Sequence, residues 1–220
     1  MHFSKQHIDA LDKQTRVHLI NSLSGFKSAN LIGTADKQGK ENLAIVSSVF
    51  HLGANPPLIG MIMRPHSVPR HTLENILETG HYTINHIHTE IVEKAHQTSA
   101  RYDKAISEFS AVGLTPQYHE PCMAPFVKES KLKIAVTLKS TQTIELNQTE
   151  LVIGEITDIY LEDDAAYCHD GFLDLEQLQT VAISGLDRYH TTSGLTRLSY
   201  AKVDNPLQTL PIKAHKKYNS

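Results

Sequence analysis

Residues 64–75, RPHSVPRHTLEN, concentrate the side chains of this sequence that could bind an anion. Arg64 and Arg70 supply permanently charged N–H donors whose geometry matches the oxygens of a phosphate group. Ser67 and Thr72 add hydroxyl donors to the same stretch. From these residues alone, the segment is either a solvated loop that caps a helix or a cradle for an anion, typically phosphate.

This polar stretch leads into a short helix that we predict over residues 72–80, TLENILETG. Thr72 is the expected N-cap, and Gly80 is the expected residue just beyond the last turn. The free N–H groups of the first turn and the helix dipole would then point toward the arginines. A helix start beside two arginines favours a ligand with two negative charges.

A second polar feature is the serine pair in NLAIVSSVF, which we predict as a strand over residues 42–50. Ser47 and Ser48 interrupt an otherwise apolar run, so one of the two hydroxyls is expected to face inward. A lone buried serine usually hydrogen-bonds to the backbone. The strand is also predicted beside LIGMIM, residues 58–63, which would place a flat ligand on its Ser47–Val49 edge and that ligand's phosphate on Arg70 and Thr72.

Other sites of well-known pattern are not found. The 11 glycines form neither a dinucleotide-binding GxGxxG nor a phosphate-binding GxxxxGK[ST], and there is no GxSxG or HExxH. The 14 histidines show no metal-ligand spacing, and His81 and His86 would lie on opposite faces of one strand. No metal site is predicted.

Size and charge set the broad class of the protein. With 220 residues, 40% of them hydrophobic, the chain is long enough for a full core, and we expect one domain. A net charge of −3 gives no positively charged surface field that would attract nucleic acid.

Cys122 and Cys168 lack CxxC spacing, which favours a reducing compartment. Without a signal sequence or an apolar run of about 18 residues, a cytoplasmic protein with no membrane span is expected.

Hydrophobic periodicity and turn residues predict more strands than helices. The predicted helices lie at 4–22 with Ser4 as N-cap, at 72–80, twice within 89–110, and at 174–180. The predicted strands lie at 29–35, 42–50, 58–63, 81–87, 131–146, 149–163 and 195–201. Residues 111–127 are expected to be irregular, and residues 203–220 to form a tail with a frayed end at 213–217. The hairpins and the two long strands favour an antiparallel barrel decorated by helices.

In their order and spacing, these motifs resemble the flavin reductase-like family, and within it the proteins related to flavoredoxin. The resemblance covers about residues 25–202 and lies in NLAIVSSVFHLGANPPLIGMIMRP (42–65), RHTLENILETGHYTINHI (70–87), SEFSAVGLTP (107–116), APFVKESKLKIAVTL (124–138), LVIGEITDIYLEDD (151–164) and the R-Y-H…R-L-x-Y-A-K segment (188–202). It implies a mainly β, α+β chain: an antiparallel split β-barrel of the FMN-binding type with peripheral helices, as a single domain over residues 1–220.

Carried over position by position, the resemblance implies an FMN site. The flavin ring or ribityl chain would meet Ser47, Ser48 and Val49, largely through backbone N–H groups. The remaining implied FMN-binding residues are Arg64, Ser67, Arg70, His71, Thr72 and His86. His71 replaces the acid of the family's Lys-Asp-Thr pattern. The insert PHSVP, 65–69, lengthens the phosphate-binding loop.

The resemblance further implies a homodimer in which NADH or NADPH passes a hydride to FMN and electrons go on to an unknown acceptor. That reaction needs no acid–base residue, and no catalytic residue is assigned; His86, Tyr189 and His190 are candidates to line the open face of the flavin. Two alternatives stay open. In the first, the protein is a non-enzymatic FMN electron carrier. In the second, its barrel holds another ligand such as a different flavin, pyridoxal phosphate or haem.

Overall fold

An antiparallel sheet of seven strands forms the body of the molecule, with short helices around it. The computed structural model describes residues 1–212. The helices are α1 Lys5–Ala10, α2 Lys13–Ser22, α3 His71–Thr79, α4 Val92–Gln97 and α5 Glu108–Val112. The strands are β1 Lys27–Ser28, β2 Asn30–Ala35, β3 Glu41–Val46, β4 Val49–Ala54, β5 Pro57–Met63, β6 His81–His86, β7 Pro116–His119, β8 Cys122–Val127, β9 Leu132–Ile144, β10 Thr149–Leu161, β11 Ala182–Ser184 and β12 Arg188–His190. Single 3₁₀ turns lie at Thr89–Ile91 and Asp164–Ala166.

The seven strands lie in the order β3-β2-β6-β9-β10-β5-β4, and all neighbours are antiparallel. Strands β9 and β10 run for 13 residues each and shift register between Ile153 and Gly154 and again between Ile156 and Asp158. Such bulges bend long strands, so the pair curls as their length predicts. The predicted class, an antiparallel barrel with peripheral helices, is confirmed.

The two edges of this sheet are joined by a link of only two residues. Strands β3 and β4 lie at opposite edges, yet only Ser47 and Ser48 separate them in the chain. The sheet must therefore curl until the end of β3 lies beside the start of β4, although these two strands form no hydrogen-bonded pair. We call the Ser47–Ser48 link the seam. The prediction of one strand over 42–50 is wrong, because at the seam the chain leaves its partner β2 and pairs with β5 instead.

Two apolar clusters fill the space on either side of β2. Leu31 and Ile32 are neighbours in β2 and point to opposite faces, and both are fully buried. Ile32 packs in the cluster formed by strands β5, β6, β9 and β10 with helix α3. Leu31 packs in the cluster formed with α4, α5 and β11, around Phe109. Burial on both faces explains the continuous apolar run of this strand.

The start of helix α3 differs from the prediction. Arg70, not Thr72, is the N-cap residue, and its side chain makes no capping hydrogen bond. Thr72 is 5% exposed, and its hydroxyl oxygen accepts a hydrogen bond of 2.9 Å from Asn42 Nδ2 in β3. The helix buries the face that carries Leu73 and Ile76, and Thr72 turns inward with them. Gly80 ends the helix in the left-handed conformation, φ 74°, as predicted.

At the N-terminal end, the predicted helix over 4–22 is two helices. Ser4 caps α1 as predicted, by accepting from the backbone N–H of His7. The helix then breaks at Leu11, and Asp12 caps α2 by accepting from two N–H groups of its first turn. Apolar spacing over this region is too loose to hold one continuous helix against the barrel, and neither α1 nor α2 contains a buried residue.

Three further expectations are wrong, because long-range pairing decides the structure of these segments. Residues 111–127 are not irregular: the end of α5 is followed by the hairpin β7–β8. Residues 174–180 form turns in place of a helix. Residues 195–201 form no strand but a single bridge from Leu198 to Thr209. The short sheet in this part of the fold is made by β1, β11 and β12.

Of the predicted helices within 89–110, α4 lies inside the range and α5 begins near its end. The expected frayed end at 213–217 lies outside the described residues.

Across residues 1–212, no helix combines the length and the apolar character needed to cross a membrane.

Close approach of β2 to β8 generates a stability prediction. A Cβ at Gly33 would overlap the carbonyl oxygen of Pro125, which already accepts a 2.6 Å hydrogen bond from Thr83. Because backbone cannot yield as a side chain does, Gly33→Ala should lower the free energy of unfolding by about 3 kcal/mol, at the upper end for overpacking. Urea denaturation measures the change.

The matched control is Gly194→Ala, at an exposed glycine whose added Cβ would meet only the Glu176 carboxylate at 3.4 Å and beyond. It should change stability by no more than about 0.5 kcal/mol. Equal stability of the two variants would contradict the close contact between β2 and Pro125.

Candidate functional site

An apolar cavity of about 200 Å³ lies beside the first half of β5. Its walls come from β1, β2, β4, β5, β6 and β10. The lining residues are Ser28, Asn30, Val49, Phe50, His51, Leu58, Ile59, Ile84, His86 and Ile156. A mostly apolar cavity with a few polar groups is the usual form of a site for a small organic ligand.

The polar wall of this cavity is formed by Asn30 and His86, which face each other across the β2–β6 pair. Asn30 Nδ2 donates to Ser28 Oγ at 2.9 Å, and Ser28 Oγ donates to the carbonyl of Val49 at 3.2 Å. This relay ties β2 to the edge strand β4. Asn30 Oδ1 and His86 Nδ1, however, are buried without a hydrogen-bond partner in the described chain.

Burial also determines the charge of His86. It lowers the pKa of His86 to about 4, because a buried imidazolium would lose its hydration. The imidazole is therefore neutral near pH 7. A neutral ring in an apolar wall suits a flat, uncharged part of a ligand.

The seam lies next to the cavity, along β5. Ser48 Oγ donates to the carbonyl of Ile62 at 2.7 Å, so its proton is used in a hydrogen bond within the barrel. Ser47 is half-buried, and its hydroxyl has no hydrogen-bond partner within residues 1–212. Val49 pairs with Met61 and lines the cavity. The structure thus brings the serine pair and Val49 together with the end of β5, as predicted.

Arg64 and Arg70 follow β5 in the chain, and Arg101 lies in the loop between α4 and α5. We call these three residues, whose charges act on one another, the arginine cluster. Burial lowers the pKa of Arg70, and the neighbouring charges of Arg64 and Arg101 lower it further. Glu74 accepts from His66 Nε2 at 2.9 Å and from the backbone N–H of Arg70 at 3.1 Å. Among the described residues, no carboxylate forms an ion pair with any of the three guanidinium groups. The uncompensated charge can attract an anion.

The other predicted residues are distributed differently. Ser67 is exposed in the arginine loop. His71 lines a narrow cleft at the start of β3, beside Asp36 and Glu41, and is not among the residues that line the cavity. Thr72 is buried against Asn42 and does not supply the capping hydroxyl that was expected.

Tyr189 and His190 do not line the cavity. The hydroxyl of Tyr189 is 2.9 Å from His96 Nδ1, and His190 Nε2 is 2.8 Å from Ser184 Oγ. Both belong to the short sheet β1-β11-β12, where these contacts hold them.

Sequence reasoning missed two residues of this region. Asn30 lies in a predicted strand, and its polar side chain in an apolar run was a signal that could have been used. Arg101 lies in the loop between α4 and α5 and carries no local signal, because its place depends on how that loop folds back over α3.

These features follow one another along β5. Leu58 and Ile59 line the cavity, Ile62 binds the seam, and Arg64 follows the last residue of the strand. From Ile59 to Arg64 the chain advances five residues, about 16 Å in extended form. An elongated ligand with a flat apolar end and an anionic end matches this order. No three His, Cys, Asp or Glu side chains within residues 1–212 stand close enough to hold a metal ion.

Several solved structures share this architecture. A flavin reductase-like protein with a split barrel domain from Shewanella frigidimarina NCIMB 400 is 65% identical, with a TM-score of 0.88 over 91% of this chain and 100% of that one. Nitrilotriacetate monooxygenase component B from Bacillus cereus is 20% identical, with a TM-score of 0.77 over 90% of this chain and 98% of that one. Flavoredoxin of Desulfovibrio vulgaris (Miyazaki F) is 24% identical, with a TM-score of 0.67 over 82% of this chain and 92% of that one.

The comparison with protein families agrees with these structures. The family model described as flavin reductase like domain matches residues 23–176, which contain β2 to β10, the cavity, the seam and the arginine cluster. The split-barrel fold and a flavin-related function follow, and the protein belongs to the flavin reductase-like family.

Proposed function

We propose that the protein binds FMN and acts as an NAD(P)H-dependent flavin oxidoreductase. The observation that carries the proposal is the order of features along β5: an apolar cavity, then a polar seam, then arginines that form no ion pair within residues 1–212. FMN has its parts in the same order, a flat ring, a ribityl chain and a phosphate. The family assignment and the similarity to flavoredoxin support the same ligand.

In this proposal the chain's residues bind and orient the cofactor. The cavity beside Val49 and His86 receives the ring, and the seam serines lie along the ribityl chain. Arg64, Arg70 and Ser67 hold the phosphate. Bound FMN would supply the hydride chemistry, while the protein supplies position and electrostatics.

The neutral imidazole of His86 fits this task, since no positive charge is placed against the ring. Thr72 contributes indirectly in the proposal: its bond to Asn42 fixes the start of α3, and with it Arg70.

A non-enzymatic electron carrier is the second candidate. Among the residues that line the cavity, the titratable side chains are His51 and His86. Neither hydride transfer to a flavin nor electron transfer requires an acid–base residue, so this lining fits both candidates. The flavoredoxin similarity favours this candidate as well.

We also propose that the protein is a homodimer with a second copy over the cavity. Phe50 on the cavity wall is 39% exposed, and Leu52 and Phe26 nearby in the fold are 42% and 73% exposed. Helices α1 and α2 bury no residue of their own. A partner covering this apolar surface would remove it from water.

Anaerobic mixing of the FMN-loaded protein with NADH or NADPH tests the function. Loss of the visible flavin absorbance within the mixing time supports the reductase. An unchanged spectrum, followed by reduction with an electron-transfer protein, supports the carrier. A protein that is colourless as purified and retains no added FMN contradicts both candidates.

The role of Arg70 is tested by comparing FMN with riboflavin, which lacks the phosphate. Arg70→Ala should weaken FMN binding by about 1.5–3 kcal/mol, the value of a charge-assisted hydrogen bond, and leave riboflavin binding unchanged. Fluorescence titration measures both affinities. Equal losses for the two flavins would place the phosphate elsewhere.

Thr72→Val is the matched variant, and it should act through the fold. Loss of the buried bond leaves Asn42 Nδ2 unsatisfied, which should lower the free energy of unfolding by about 1–3 kcal/mol in the FMN-free protein. Unchanged stability would contradict the role of Thr72 in positioning the start of α3.

The lowered pKa of His86 predicts that the stability of the FMN-free protein depends on pH. Its folded-state pKa of about 4 lies below the ordinary value of 6.5, so the unfolded chain takes up the proton first as the pH falls. The free energy of unfolding should drop between pH 6.5 and about 4, by about 2 kcal/mol at pH 5. His86→Gln should lack this part of the drop in urea denaturation, and His18→Gln, at an exposed position, is the control. An unchanged pH profile in His86→Gln would contradict the burial of the ring.

A further inference from the structure

Two buried polar atoms without partners lie in the cavity wall, on residues that are neighbours across β2 and β6. Asn30 pairs with His86 in the register of these strands, so their side chains lie on one face of the sheet, with Cβ atoms about 4.5–5.5 Å apart. Asn30 is 1% exposed, and both residues line the cavity. Neither Asn30 Oδ1 nor His86 Nδ1 has a hydrogen-bond partner within residues 1–212. One wall therefore holds two polar atoms that the described chain leaves unpaired.

The orientation of the Asn30 amide follows from its neighbours. Asn30 Nδ2 donates to Ser28 Oγ, and Ser28 Oγ donates its single proton to the carbonyl of Val49. If the amide were reversed, Oδ1 would face a hydroxyl oxygen whose proton is already used, and two acceptors would meet. Nδ2 therefore stays on Ser28, and Oδ1 is the acceptor left for another molecule.

Similar reasoning places the proton of the His86 ring. Burial lowers the pKa of His86 to about 4, so the imidazole is neutral near pH 7, with a proton on one ring nitrogen and none on the other. A proton on Nδ1 places a donor beside Asn30 Oδ1, whereas a bare Nδ1 would place a second acceptor there. The Nδ1–H form is therefore favoured, and the pair offers one acceptor and one donor side by side.

Packing alone does not require this pair. A buried polar atom without a partner costs free energy, and a leucine at position 30 would have the same branched shape without that cost. Ser28 would still keep its hydrogen bond to Val49. The amide oxygen of Asn30 is thus present at a cost to stability, which indicates that a ligand uses it.

We propose that Asn30 and His86 bind the edge of a planar ring that carries an N–H group next to a C=O group. The N–H group donates to Asn30 Oδ1, and the C=O group accepts from His86 Nδ1. The proposal rests on the proposed function and deepens it, because the pyrimidine end of the flavin ring system has such an edge, an N3–H group between two carbonyl groups. Asn30 then selects the ligand by its N3 proton.

Binding of FMN and of 3-methyl-FMN tests the proposal without relying on turnover. The two flavins differ only in the methyl group that replaces the N3 proton. Wild type should bind 3-methyl-FMN about ten-fold more weakly than FMN, which is the effect of losing one hydrogen bond. Fluorescence titration of the flavin-free protein measures both affinities. This comparison uses the unaltered chain, so it does not depend on the folding of any variant.

Three variants assign the contacts to residues. Asn30→Leu should bind FMN about ten-fold more weakly than wild type and should bring the affinity ratio of the two flavins close to one. Asn75→Leu is the matched control: within residues 1–212, Asn75 is also buried with Nδ2 donating to Thr34 and Oδ1 unpaired, but it does not line the cavity. It should keep the wild-type ratio. His86→Phe should weaken binding of both flavins about equally and also keep the ratio, since the N3–H contact remains.

Melting temperatures separate recognition from a structural role. In the flavin-free protein, Asn30→Leu should melt no lower than wild type, because the unpaired oxygen is removed and Ser28 keeps its bond to Val49. With FMN added, the variant should gain less in melting temperature than wild type, because it binds the ligand more weakly. A lower melting temperature without flavin, together with an unchanged affinity ratio, would assign Asn30 a structural role and overturn the proposal.

The other contradicting outcomes are equally distinct. If wild type binds both flavins with the same affinity, the N3 proton is not recognised. If Asn30→Leu keeps the ten-fold ratio, a residue other than Asn30 contacts that proton. In both cases FMN still binds, so the proposed function stands and this proposal fails alone. If wild type binds neither flavin, the proposed function fails, and the recognition by Asn30 and His86 fails with it.

Discussion

Closure of the sheet at the seam is the constraint on which the rest of this structure depends. Two residues must carry the chain from one edge of a seven-stranded sheet to the other, so the strands between them have to curl. The hydrogen bond from Ser48 to Ile62 holds β5 at the meeting point. That same strand has the cavity on one side of the seam and the arginines beyond it, so barrel closure positions every part of the candidate site.

Most polar groups buried by this closure have partners, and the exceptions are informative. Asn85, for example, donates to the carbonyl of Leu31 and accepts from the N–H of Val127, which joins β6 to β2 and β8. Five buried side-chain atoms of the described chain have no partner, and two of them, on Asn30 and His86, belong to residues of the cavity wall. A buried polar atom without a partner costs about 1–3 kcal/mol. A ligand bound in this cavity would supply hydrogen-bond partners for the two atoms on Asn30 and His86.

The arginine cluster also contains groups without partners, but here the missing partner is an opposite charge and not a hydrogen-bonding atom. In a protein of net charge −3, the charges of Arg64 and Arg101 both act on Arg70, while the nearby Glu74 is engaged by other donors. Their mutual repulsion opposes folding, and a bound dianion would relieve it. In the proposed function, the cavity and the arginine cluster are the two ends of one elongated site, the first apolar and the second positively charged.

Sequence alone determined the local features of this protein, because each depends on residues that are neighbours in the chain. Gly80 ends its helix, Ser4 caps another, and the two long strands were predicted from alternation and turn residues. The order of motifs also indicated the family. Only the tertiary structure decided that Thr72 binds Asn42 instead of capping α3, and that the strand over 42–50 breaks at the seam. These outcomes depend on contacts between residues that are well separated in the chain, 12 positions for Val49 and Met61 and 30 positions for Asn42 and Thr72, and no local pattern specifies which partner a residue will meet.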